Sequence, residues 1–130
     1  MTKEIISTEQ APAAIGTYSQ AVKVTGSSQA TVYISGQIPL KPQTMEMVTE
    51  SFEAQATQVF ENLNSIAKAS GGNLNDFVKI TVLLSDMKYF PQVNEIMAKY
   101  VDEPYPARAA FAVKALPKDA DIEIDAIMVV

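Results

Sequence analysis

The chain has 130 residues, 48% of them hydrophobic, with 15 acidic and 10 basic side chains giving a net charge of −5. This is the length of one domain, residues 1–130, with enough apolar material for a core. Histidine and cysteine are both absent, which excludes disulfides, a thiol nucleophile, a Ser-His-Asp triad and a His/Cys zinc site.

From the N-terminus, Glu4 to Thr8 reads as a short strand. Tyr18 to Thr25 alternates at strand period, with Gly26 to Gln29 as a turn and Thr31 to Ser35 as the returning strand of a hairpin. Pro39, Lys41 and Pro42 open an irregular connection. Glu50 to Ser70 is the clearest helix, because Phe52, Ala56, Val59, Phe60, Leu63, Ile66 and Ala67 form one apolar stripe. Thr49 is its expected N-cap, Glu50 and Glu53 suit its positive end, and Gly71-Gly72 ends it.

Phe77 to Ser85 follows as a strand with Val78, Ile80, Val82 and Leu84 on one face. A second helix begins after Asp86, tolerates Pro91 in its first turn and turns Val93, Ile96, Met97 and Tyr100 inward. Ala107 to Val113 and Ile122 to Val130 complete the order β-β-β-α-β-α-β-β. The expected fold class is α+β, a single two-layer domain with a mixed β-sheet and two helices on one face.

The sole arginine, Arg108, lies among small and apolar residues of the fifth strand. Desolvating a lone charge is costly, so Arg108 either pairs with Glu123 or Asp125 or holds an anion from outside. A guanidinium fork matches a carboxylate bidentately, which makes a small carboxylic acid the first ligand class to consider. Asp119, Asp121, Glu123 and Asp125 alternate and invite a calcium reading. It fails because neither the glycine nor the final glutamate of an EF-hand loop is present, so no metal is expected. The basic residues are scattered, so no nucleic-acid partner is expected. No stretch nears the roughly 20 apolar residues of a membrane helix and the first residues lack a signal core, so a cytoplasmic protein without a membrane partner is expected.

Three blocks carry a family resemblance: residues 11–20 (APAAIGTYSQ), residues 35–39 (SGQIP) and residues 106–127 (PARAAFAVKALPKDADIEIDAI). In order and spacing they resemble the RidA (YjgF) family across essentially the whole chain. The resemblance implies a chorismate-mutase-like fold, a homotrimer with sites in clefts between subunits, and a cofactor-independent deaminase of reactive 2-enamine and 2-imino acids. It assigns the substrate carboxylate to Arg108 and the acid-base role to Glu123. Tyr18, Ser35, Gly36, Asn94 and the backbone near Ala110 become the substrate-binding residues. Two positions depart from the family: Thr17 stands where proline is usual, and Ala110 where many relatives carry cysteine. Two other functions stay open: a binding module that senses a keto or amino acid without turnover, and a ribonuclease or translation inhibitor.

Overall fold

The computed structural model describes residues 2–130. Its elements, in chain order, are β1 (Thr2–Ile6), β2 (Ala21–Thr25), β3 (Ala30–Gln37), α1 (Phe52–Ala69), β4 (Phe77–Leu84), α2 (Phe90–Tyr100), β5 (Ala107–Ala112) and β6 (Ile122–Val129). The six strands form one sheet in the order β1-β2-β3-β6-β4-β5. All neighbours are antiparallel except β4 and β5, which run parallel and are joined through α2. The last strand slots between β3 and β4, so residues far apart in sequence become neighbours at the centre of the sheet.

Strand alternation divides the sheet into two faces. Val32, Ile34, Ile80, Val82, Leu84, Ile122, Ile124, Ala126 and Met128 point to one side and are buried with the apolar stripe of α1. The other side carries Ile5, Tyr33 and Phe111, which are 55%, 51% and 49% exposed. On that side Ile5, Val22, Tyr33, Ile127, Lys79 and Ala107 align in one row across all six strands. Both helices lie on the buried face, as expected. They are held together in part by Phe60 stacked on Tyr100, with 5.3 Å between ring centroids, and Phe52 stacked at 4.3 Å on Tyr89 just before α2.

Several expected boundaries move, each for a local reason. The first strand stops at Ile6 and does not reach Thr8, because the Thr8 amide donates to Gln20 Oε1 at 2.6 Å rather than to a strand neighbour. The second strand starts at Ala21, not Tyr18, because the Ser19 carbonyl accepts from Ser35 Oγ and the Gln20 side chain turns back toward residues 8–12. Val78 is exposed on its strand and Phe77 takes the buried place, because a bulge shifts the register between Phe77 and Lys79. Helix α1 is capped by Ser51 and not Thr49: Ser51 Oγ accepts from the Ala54 amide at 3.0 Å. Glu50 therefore lies outside the helix and Glu53 alone supplies acid to its first turn. The glycine stop is as expected, with Gly71 at φ +98°, where a Cβ is disfavoured. Among the described residues no helix is long and apolar enough to cross a membrane.

These caps differ in what they support. Ser51→Ala should lower unfolding free energy by about 1 kcal/mol, whereas Thr49→Ala should stay within about 0.5 kcal/mol of the parent. Urea denaturation at fixed protein concentration reads both, and a loss at Thr49→Ala without one at Ser51→Ala would return the cap to Thr49.

Candidate functional site

Arg108 and Glu123 do not meet in one chain. Arg108 pairs in register with Ile80, which pairs with Ala126, so its side chain shares the helix face. There its Nη1 donates to Asn94 Oδ1 at 2.7 Å and lies 3.8 Å from Met97 Sδ, while the guanidinium carbon sits 5.0 Å from the Phe90 ring centroid. Glu123 pairs with Leu83, which pairs with Phe111, and so belongs to the opposite face. The expected alternative of an internal ion pair with Glu123 or Asp125 is therefore wrong. The one salt bridge among the described residues joins Lys99 to Glu53 at 3.9 Å. Arg108 keeps donors free beside an amide, a sulfur and an aromatic face, a setting that orients the guanidinium without neutralising it.

Two clefts follow from this division. The first, of about 480 Å³, is lined by Tyr18, Ser35, Gly36, Ile38, Lys118 and Glu123, among others. The second, of about 500 Å³, is lined by Asn94, Met97, Ala98, Tyr105, Pro106 and Arg108. Four of the expected site residues are thus brought together in one cleft and two in the other. Ala110 lines neither; it packs half-buried against the core on the Arg108 side of β5.

The Glu123 cleft is built at an irregularity. The β3–β6 register shifts between Ile34 and Gln37, leaving Ser35 and Gly36 off the regular ladder. Gly36 is required by close approach: a Cβ built there would lie 3.0 Å from Glu123 Cδ and nearer still to its Oε2. Ser35 Oγ donates to the Ser19 carbonyl at 2.5 Å, so its hydroxyl hydrogen ties the preceding loop and is not offered to the cleft. Tyr18 is 50% exposed at the rim, and its hydroxyl accepts from the Ile15 amide at 3.4 Å. Burial pushes the Glu123 carboxyl above its ordinary value, and the like charge of Asp125 adds to the rise.

The four acids of the last stretch do not share one strand face. Asp119 and Asp121 precede β6, and Asp121 is held by Ser85 Oγ at 2.7 Å and Gln55 Nε2 at 3.4 Å. Sequence reasoning gave no role to Gln55, Asn62 or Lys118. The first two border the stripe of α1 seven residues apart, which places them on one helix face. Lys118, at φ 55° in a one-turn corner beside Glu123, left no signal in the pattern.

A two-layer α+β domain with an arginine cleft and a separate carboxylate cleft is the class that fold and site define. Residues 8–130 match the family model described as Endoribonuclease L-PSP. The chain belongs to that family, the RidA family its sequence resembles. It is 48% identical over 127 residues to the 2-iminobutanoate/2-iminopropanoate deaminase of Mus musculus, covering 98% of this chain and 91% of that one. The crystal structure of RidA from the Antarctic bacterium Psychrobacter sp. PAMC 21119 superposes with a TM-score of 0.91 at 53% identity, covering 98% and 99% of the two chains. E. coli TdcF with bound serine superposes with a TM-score of 0.87 at 36% identity, covering 98% of each chain.

Two measurements test this geometry. Gly36→Ala should cost about 1–3 kcal/mol by forcing the Glu123 carboxylate aside, and Gly36→Ala combined with Glu123→Ala should recover most of that loss. Additive losses would mean that the two groups do not press on each other. The raised Glu123 carboxyl favours the folded state when protonated, and that contribution fades as pH rises through its folded value. Glu123→Gln should therefore melt above the parent at pH 7, with the difference vanishing near about pH 4. A difference independent of pH would contradict the raised carboxyl.

Proposed function

We propose that the protein is a cofactor-independent hydrolytic deaminase that converts 2-imino acids, and the 2-enamines that tautomerise to them, into 2-keto acids and ammonia. The observation that carries this reading is the separation of Arg108 and Glu123 on opposite faces, each oriented and neither paired with the other. A carboxylate clamp and a proton carrier are what imine hydrolysis needs. The deaminase name of the mouse relative and the serine bound to TdcF agree with a small amino-acid-like ligand.

In this reading the site is completed between copies, in a homotrimer. One subunit supplies Arg108 with Asn94, and its neighbour supplies Glu123 with Tyr18, Ser35 and Gly36. The exposed Ile5, Tyr33 and Phe111 support association through the open sheet face. Arg108 binds the substrate carboxylate bidentately. Glu123 accepts a proton from water as the oxygen adds to C2 and the C=N electron pair moves to nitrogen, and Glu123 then delivers that proton to the nitrogen, returning to its carboxylate form. The carbinolamine then collapses: the C–N bond breaks, the hydroxyl proton passes to Glu123 and on to nitrogen, and keto acid and ammonia leave. A carboxyl raised by burial is better matched to this shuttle than an ordinary one. Backbone near Ser35 and Ala110 holds the imino nitrogen, so the alanine at 110 removes no group the reaction needs. Gly36 leaves room for the substrate, and Tyr18 and Asn94 shape the pocket. The cysteine-free sequence fits a cytoplasmic setting.

The serine-bound neighbour also favours a second reading, a sensor that holds a small carboxylate without turnover. Net charge −5 and scattered lysines give a ribonuclease reading no basic groove to rest on.

Mixing tests the enzyme and its divided site together. Arg108→Ala and Glu123→Gln should each lose turnover of 2-iminopropanoate generated in the assay. Random co-assembly of the two variants should restore about a quarter of the parent rate, since that fraction of interfaces holds both native groups. No recovery from mixed trimers would overturn the division of the site between subunits. Ligand binding without turnover by the parent protein would favour the sensor.

A further inference from the structure

Five polar side chains are buried among the described residues: Gln20, Gln37, Gln55, Asn62 and Ser70, between 1% and 6% exposed. Burying an amide is costly unless its bonds are made, so their positions are informative. Four of the five gather around the Glu123 cleft. Gln37 lines it directly. Each of the other three reaches a different wall.

Gln20 Nε2 donates to the carbonyls of Thr8, Ala11 and Pro12 at 3.0, 3.3 and 2.8 Å, and Pro12 lines the cleft. This wall has no strand or helix of its own, so the side chain supplies bonds that backbone would otherwise supply. Asn62 Nδ2 donates to the carbonyls of Leu40 at 3.0 Å and Ile38 at 3.4 Å, both cleft residues, while its Oδ1 accepts from Gln58 at 2.8 Å. Gln55 clamps the start of β6. Its Oε1 accepts from the Asp121 amide at 2.9 Å and its Nε2 donates to Asp121 Oδ2 at 3.4 Å. Ser85 completes the clamp, donating from Oγ to Asp121 Oδ1 at 2.7 Å and from its amide to the Asp121 carbonyl at 3.0 Å. Every polar atom of Asp121 is thereby engaged, two residues before Glu123.

We propose that Gln20, Asn62 and Gln55 are positioning residues that fix the three walls of the Glu123 cleft, with the Gln55–Asp121 clamp setting the position of the carboxylate itself. The proposal rests on the deaminase reading for its kinetic consequence but not for its geometry. None of the three touches substrate. They hold the groups that do, and displacements of about 1 Å in such groups can cost two orders of magnitude in rate.

The fifth buried polar residue provides the control. Ser70 lies at the opposite end of α1, where its Oγ donates to the Ile66 carbonyl at 2.8 Å and Lys23 Nζ donates to its carbonyl at 2.9 Å, remote from the cleft lining. Gln20→Leu, Asn62→Leu, Gln55→Leu and Ser70→Ala should all lower the melting temperature. Only the first three should lower kcat, by about tenfold or more, with KM changed by no more than about threefold. Asp121→Ala opens the same clamp from the strand side, should Gln55→Leu not fold, and Asp121→Asn, which keeps an acceptor, should restore most of the rate.

A second readout needs no turnover. The Glu123 side-chain carboxyl carbon, titrated by NMR, should shift toward an ordinary carboxylate value in the clamp variants as water enters, and stay put in Ser70→Ala. The charged groups facing it, Asp125 on its own strand and Lys118 from the corner, are common to all the variants. Rate losses matching those of Ser70→Ala at equal loss of stability, with an unmoved Glu123 titration, would overturn the positioning role. A parent protein without turnover whose clamp variants still move the Glu123 titration would overturn the deaminase reading and leave the positioning role standing.

Discussion

The two-residue period of a β-strand governs this molecule. Once α1 and α2 cover one face of the sheet, every second side chain of the central strands joins the core and the rest are turned outward. Glu123 stands between Ile122 and Ile124, both fully buried, so it cannot reach the helix side. Arg108 shares its row with Ile80 and Ala126, so it cannot leave that side. A shift of one residue in β6 would exchange the core for the acids. The same register that buries the isoleucines thus holds the two charged groups apart.

Much of the architecture was legible in the sequence because periodicity reports burial directly. The stripe on α1, the glycine stop after it and the alternation in β6 were each read from residues that do in the fold what their type favours. Boundaries set by side-chain capture of the backbone were not legible. Gln20 ends one strand early and starts another late by bonding to Thr8 and Pro12, and no local pattern announces an amide that reaches twelve residues back. The Phe77–Lys79 bulge was hidden for a similar reason, since Val78 suits either face of a strand. For the candidate site, the sequence blocks named the residues, but nothing in them reported that Arg108 and Glu123 occupy different faces. That depends on β6 inserting between β3 and β4, a long-range pairing.

The polar interior is allocated with the same economy. A chain without histidine or cysteine has few groups able to do chemistry, and carboxamides supply most of its buried polar side chains. They carry no charge to desolvate, offer donor and acceptor together, and substitute for ladder bonds where the chain is irregular. The irregular segments they secure are the ones that frame Glu123, whereas the regular strands need no such help.

Among the described residues strand β5 ends the sheet, paired to β4 on one side and to no strand on the other. Its sequence, Ala107-Arg108-Ala109-Ala110-Phe111-Ala112, is small and apolar apart from one residue. An open strand edge of that kind is a template for further strands, and charged side chains are a common protection against it. Arg108 is the only charge on that strand. Arg108 is therefore also the one charge that β5 offers to guard this edge, so a redesign of this position should keep a charge there.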